Sequence, residues 1–172
     1  MAPEAHSKQH ASTISLPMMA VSPVDIGRLL RELEVIGETL LQLSLRTGGD
    51  STKMPKTTKM MEQTASLNKL NLLQESDRKQ LQQMLNSVRE KAPIIHVSFG
   101  VDPAPAFVEK LMTWLRKEIH PLVLITVGLQ PTIGAGCIVR TANHQFDFSL
   151  RQDFLSKRDL LASMLVAEEQ PA

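Results

Sequence analysis

The chain has 172 residues, and its 19 Lys and Arg nearly match 18 Asp and Glu, a balance that removes the electrostatic footprint of nucleic-acid binding. Hydrophobic residues make up 42% but include one Trp, no Tyr and five Phe, so the expected core is aliphatic and Met-filled, with few rings on which bases could stack. The single cysteine, Cys137, excludes an internal disulfide or a multi-thiolate metal site, and no run approaches the ~18 apolar residues of a membrane-spanning helix.

Residues 1–22 lack the cationic start and apolar centre of a secretory signal and the Arg richness of a transit peptide, and read as a disordered tail. Ser22-Pro23-Val24-Asp25 combines a Ser cap, Pro at the first helical position and an acid three residues after the cap, so a helix is expected from there to about Arg46. Within it Ile26, Leu29, Leu33, Ile36, Leu40 and Leu43 recur at alternating spacings of 3 and 4, the seam of a coiled coil. Such a stripe needs a cover, either the second helix of this chain or another protein. Thr47 to Pro55 is dense in turn residues and predicts a flexible connection, with Lys53, Lys56 and Lys59 on a solvated face. Pro55 to about Lys91 then reads as helix, interrupted near Ser76, with Leu67, Leu70, Leu73, Leu81, Met84, Leu85 and Val88 on one side. The region 23–91 is thus expected to be a helical arm of two long helices.

From Pro93 the period changes, and residues 92–166 read as a small α/β domain, with 167–172 a tail. Ile94 to Phe99 is a short strand, Asp102-Pro103 starts a helix with Phe107, Leu111, Trp114 and Leu115 as its apolar stripe, and Pro121 stops it. Leu122 to Val127 is a continuous apolar run expected of a strand covered on both faces, so residues 94–127 form a βαβ unit with parallel strands. After a loop from Leu129 to Gly136, a two-residue turn at Asn143-His144 would set a hairpin with Arg140 opposite Asp147, Val139 opposite Phe148 and Thr141 opposite Phe146. Cys137, Val139, Phe146 and Phe148 then share one apolar face, with Ile138, Arg140, Asp147 and Ser149 on the other. Ser149 caps a final helix, Gln152 completes a capping box, and Leu150, Phe154, Leu161, Met164 and Leu165 face inward. The predicted class is α+β: long N-terminal helices followed by a β-α-β-β-β-α domain with a mixed sheet.

Chemistry-bearing patterns are sparse. The glycines from Gly128 to Gly136 precede a strand, so no helix N-terminus is there to receive a phosphate. His96, His120, Cys137, His144 and Asp147 are the only nucleophilic or metal-binding candidates of this domain, and their elements do not converge. No catalytic, cofactor or metal site is expected, and Arg140 with Asp147 reads as a cross-strand ion pair.

Gly136-Cys-Ile-Val-Arg140, followed by Asp147-Phe-Ser149-Leu-Arg151, resembles the delta subunit of F-type ATP synthases, the oligomycin-sensitivity-conferring protein of mitochondria. That family carries Asp-Pro-Ser-Leu-Ile-Gly-Gly, then Arg four residues after the second glycine, Asp seven after that Arg, and Asp-Gly-Ser-x-Arg leading into a last helix. Pro131, Gly136, Arg140, Asp147, Ser149 and Arg151 fall at matching positions, as does Thr132, while Gln130, Ala135 and Phe148 replace an Asp and two glycines. The similarity covers roughly residues 90–165.

The resemblance implies a non-catalytic stator subunit at the cytoplasmic side of a membrane complex, binding the b subunit of the peripheral stalk through the α/β domain. The family's helical bundle of about a hundred residues, which grips the alpha subunits of the catalytic head, has as counterpart here only the arm 23–91. The stripe from Ile26 to Leu43 would then offer a face to the stalk. A scaffolding module that binds a partner helix outside any synthase is the alternative.

Overall fold

In a computed structural model, residues 14–47, 55–160, 162 and 163 are described. Most of the predicted N-terminal tail, the connection with Lys53, the side chain of Gln152, the positions Leu161, Met164 and Leu165, and the tail 167–172 lie outside them. The chain divides into a helical unit, running up to Ala20 and over Val24–Lys91, and an α/β unit of Val21–Pro23 and the chain from Ala92 onward. The α+β class is as expected.

In the helical unit, α1 (Pro23–Thr47) begins at the predicted proline, with Asp25 in its first turn and Arg46 in its last, each complementing the helix dipole. Ile26, Leu29, Leu33, Ile36 and Leu40 are buried in the folded chain, whereas Leu43 is half-buried. The coiled-coil stripe therefore finds its cover without another protein. The expected second long helix is two, α2 (Lys59–Leu67) and α3 (Glu75–Lys91), and the break falls before Ser76. Its cause is local chemistry that competes with the helix. The Asn68 side-chain amide donates to the Thr64 carbonyl at 2.7 Å, Lys69 turns to φ 56°, and the Leu70 N–H closes back on the Ala65 carbonyl. Beyond it, the Asp77 carboxylate accepts the Asn71 N–H at 2.8 Å, and Arg78 donates to the Leu72 and Leu73 carbonyls.

Residues 14–20 correct the picture of a disordered tail as far as they are described. Ile14 and Ala20 are buried, and Ser15 exchanges two hydrogen bonds with the Asn68 side chain, at 2.9 and 3.0 Å. On α1, the Glu32 carboxylate accepts the Thr58 backbone N–H at 2.6 Å and its hydroxyl at 2.7 Å. Thr58 is the N-cap of α2, so an anion sits where that helix exposes its unpaired donors.

The α/β unit holds β1 (Ile94–Phe99), α4 (Pro105–Glu118), β2 (Leu124–Leu129), a 3₁₀ turn at Pro131–Ile133, β3 (Gly136–Arg140), β4 (Gln145–Ser149) and α5 (Arg151–Ser156). The sheet order is β2-β1-β3-β4, with β1 and β2 parallel and the other pairs antiparallel. Helix α4 starts at Pro105 rather than Asp102-Pro103, because a proline at 105 holds Ala104 out of the helical region. Its buried side is Met112 and Leu115, flanked by Val108 and Leu111. Phe107 and Trp114 lie on the exposed flank instead, roughly 100° around the helix from that side.

Strand β2 begins two residues later than predicted, since the turn at Pro121 uses the N–H groups of Leu122 and Val123 to bond His120. Leu124 and Ile125, which point to opposite faces, are both buried, whereas Val127 and Leu129 are exposed, so β2, at a sheet edge, is covered on both faces only at its start. Toward that edge the Ile125 N–H donates to the Val21 carbonyl at 2.9 Å.

The hairpin keeps its predicted faces but not its register. Arg140 pairs with Gln145, Val139 with Phe146, Ile138 with Asp147 and Cys137 with Phe148. The turn residues are Ala142 and Asn143, because the Thr141 N–H donates to the His144 carbonyl at 2.8 Å and the Thr141 hydroxyl accepts the His144 N–H at 3.1 Å. Moving a two-residue turn by one position shifts every pair by two and leaves side-chain parity intact. Asn143 keeps φ negative, and the Arg140–Asp147 ion pair does not form: Arg140 donates to the Gln145 amide oxygen at 2.9 Å. Helix α5 is capped at Leu150, not Ser149, and Leu150 and Phe154 are exposed rather than turned inward.

Candidate interaction surface

Strand parity and the register lay apolar side chains in rows across one sheet face. Val127, Val97, Val139 and Phe146 form one row, and Leu129, Phe99, Cys137 and Phe148 the next. Helix α4 packs on this face through Met112 and Leu115, in one cluster with Ile95, Val97, Phe99 and Ile125. Four strands at ~4.8 Å spacing span some 14–19 Å, against about 10 Å for a helix with its side chains, so one helix cannot cover the face.

The face is uncovered at both edges: on β2 Val127 is 39% and Leu129 61% exposed, and the aromatic part lies on β4. Phe146 is 48% exposed and Phe148 60%, while Phe99 in the centre is 7% exposed. The rings of Phe146 and Phe148 stack, with centroids 6.2 Å apart and an interplanar angle of 17°, and His144 extends the stripe with its ring 6.1 Å from that of Phe146. Leu150 before α5 and Phe154 and Leu155 on it are exposed as well. Of the six aromatic side chains in the chain, only Phe99 is buried. Stacked, exposed aromatics in a chain so poor in them single this face out as the candidate interaction surface.

Four of the six residues whose spacing carried the resemblance meet beneath this stripe. Gly136 pairs with Ser149 across β3 and β4, the Asp147 carboxylate accepts the Ser149 N–H at 2.8 Å, and Arg151 opens α5. The Ser149 hydroxyl and N–H, then the Arg151 charge, hold the Asp147 carboxyl below the usual carboxylate range. The Leu150 N–H donates to the Ala135 carbonyl at 3.0 Å, fastening the start of α5 to the start of β3. Pro131 opens the 3₁₀ turn and Arg140 lies toward the hairpin tip, so neither joins this group. Gly136, Asp147 and Ser149 brace the hairpin through these contacts.

Next to the stripe is a cleft of about 340 Å³, walled by Phe99, Pro103 and Phe107 on one side and by Gly134, Ala135 and Cys137 on the other. The phenyl rings of Phe99 and Phe107 meet edge to face, 5.8 Å apart at 86°. Sequence reading missed this cleft. A usable signal was the trio Gly100, Gly134 and Gly136, which lets three backbone segments close in. A Cβ on Gly100 would sit 3.0 Å from the Gly134 carbonyl oxygen, and one on Gly136 would overlap the Phe148 carbonyl.

The nucleophile candidates stay apart. Cys137 lies on the apolar face and His96, which pairs with Arg140, on the opposite one; His120 bonds its own turn and His144 sits at the hairpin end. Burial, then the Asp147 carboxylate, pushes the Cys137 thiol up, which keeps it protonated and weakly nucleophilic at neutral pH. Among the described residues no group of three or more His, Cys, Asp or Glu side chains could hold a metal ion, and no helix is long and apolar enough to cross a membrane. No family model matches this chain, and no curated protein matches it.

Proposed function

We propose that the chain is a peripheral-stalk adaptor of a proton-translocating F-type ATP synthase, holding other subunits together at the cytoplasmic side of the membrane and doing no chemistry itself. The observation that carries this reading is the stacked Phe146–Phe148 stripe, an apolar sheet face beside α4 with room for one more helix. A stalk b subunit, made of long helices with apolar seams, has the matching shape. The motif spacing from Gly136 to Arg151 supports the same family, and those residues brace the hairpin that presents the stripe. The stripe from Ile26 to Leu40 is buried in the chain, which favours the sheet face over it as the stalk-binding surface.

The test is capture of purified b subunit by the immobilised full chain, with wild type against a Phe146→Ser/Phe148→Ser double variant. Wild type is expected to bind. The variant should lose at least about tenfold, the effect of roughly 1.4 kcal/mol at an interface centred on aromatic residues. No capture by wild type, or equal capture by both, defeats the proposal, and a different helical partner retained by the stripe would favour a scaffolding module outside the synthase.

A further inference from the structure

The cleft beside the stripe cannot be filled by the chain's own side chains at its glycines. Gly134 and Gly136 have φ of +71° and +87°, where any other residue is strained, and Gly100 and Gly136 face backbone atoms at contact distance or closer. The glycine wall of the cleft is therefore held by close backbone contacts, which makes that side preorganised. Its lining contains no Lys, Arg or His and one carboxylate, Asp102, so it offers an anionic group nothing to pair with. What it does offer is two phenyl rings in edge-to-face contact, with one carboxylate, Asp102, in the lining. A neutral aromatic ring carrying an N–H or O–H donor matches both features. Size agrees, since an apolar cavity of roughly 150 Å³ already accepts benzene.

Cys137 joins the cleft to the stripe. It lines the cleft and stands directly opposite Phe148 on the same sheet face, so a partner lying on Phe146 and Phe148 has the cleft within reach of one long side chain. We propose that the cleft is a socket for a single aromatic side chain of the partner that covers the β4 stripe. The socket sets specificity: a partner lacking an aromatic residue at that position leaves the Phe99–Phe107 wall open to water. The inference rests on the stator reading only for which protein supplies the ring.

Because Cys137 is the only cysteine of the chain, its rate of reaction with a thiol reagent reports occupancy directly. The first measurement uses the full chain with indole as the side-chain mimic, and with two filled variants, Ala135→Leu and Ala104→Leu, from opposite walls, each checked for a wild-type melting temperature. Indole at roughly ten times its dissociation constant should slow Cys137 modification about tenfold by mass action, and a filled variant that keeps its fold should lose that protection. No slowing in wild type, or equal slowing in the filled variants, overturns the socket. The second measurement adds purified b subunit in place of indole. Capture that weakens in both filled variants supports both readings, and capture that the filled variants leave undiminished overturns the socket while leaving the adaptor reading standing. Indole protection without any capture of b subunit upholds the socket and removes the adaptor reading.

Discussion

Gly136 on β3 lies with its Cα against the backbone of Phe148 on β4, so that a Cβ would overlap the Phe148 carbonyl and come within 2.9 Å of the Ser149 Cα. Its φ of +87° adds a second demand for glycine. Gly136→Ala should therefore destabilise the α/β unit by about 2–5 kcal/mol, the sum of a left-handed backbone penalty and an overpacked contact. Gly134→Ala is the control. It shares a positive φ but faces open space, so only the backbone penalty of about 1–2 kcal/mol applies. Urea unfolding followed by circular dichroism measures both, and equal losses would contradict the steric account.

The helical unit rests in part on Glu32 and Thr58, which join α1 to the start of α2 through two short hydrogen bonds. Thr58→Ala should cost about 0.5–2 kcal/mol, as expected for a lost N-cap. Glu32→Ala removes the anion from the same helix end. Because the two share bonds, a double-mutant cycle should return a coupling of about 0.5–3 kcal/mol rather than additivity. Additive losses would mean that the carboxylate is bystanding.

Asp147 gives the hairpin a pH dependence whose sign follows from its depressed carboxyl. A folded-state value below the unfolded aspartate value of about 3.9 contributes stability that is fully present above that value and is lost as pH falls through the folded one. The Asp147 carboxyl carbon signal in NMR should therefore stay constant down to the ordinary aspartate range and shift only below it. Ser149→Ala removes the largest cause and should move the Asp147 titration back up. An unchanged midpoint in that variant would refute the assignment.

Exposure separates the stability roles of the phenylalanines. Phe99→Ala, in the centre of the core, should cost about 3–5 kcal/mol. Phe148→Ser, at a surface position, should stay within about 0.5 kcal/mol of wild type in thermal or urea unfolding. A large loss for Phe148→Ser would mean that the stripe belongs to the core and is no docking surface.

Local rules made much of this fold legible. Pro23 starts α1, strand β1 runs from Ile94 to Phe99 as read, and alternation assigns each residue of β3 and β4 to its face, because caps, proline and the two-residue strand period act over a few neighbouring residues. The sequence by itself thus determined the class, the order of elements in the α/β domain, and which side chains of the hairpin share an apolar face. Only the tertiary structure decided what those faces meet. Ser15 bonds Asn68, 53 residues away, at the end of α2; Thr141 chooses the hairpin turn and shifts its register by two; and Phe146 and Phe148 stay exposed because one helix lies over a four-stranded sheet. Periodicity states that a residue is apolar and which way it points. Whether anything covers it depends on how many helices a sheet receives, which is a property of the packed chain.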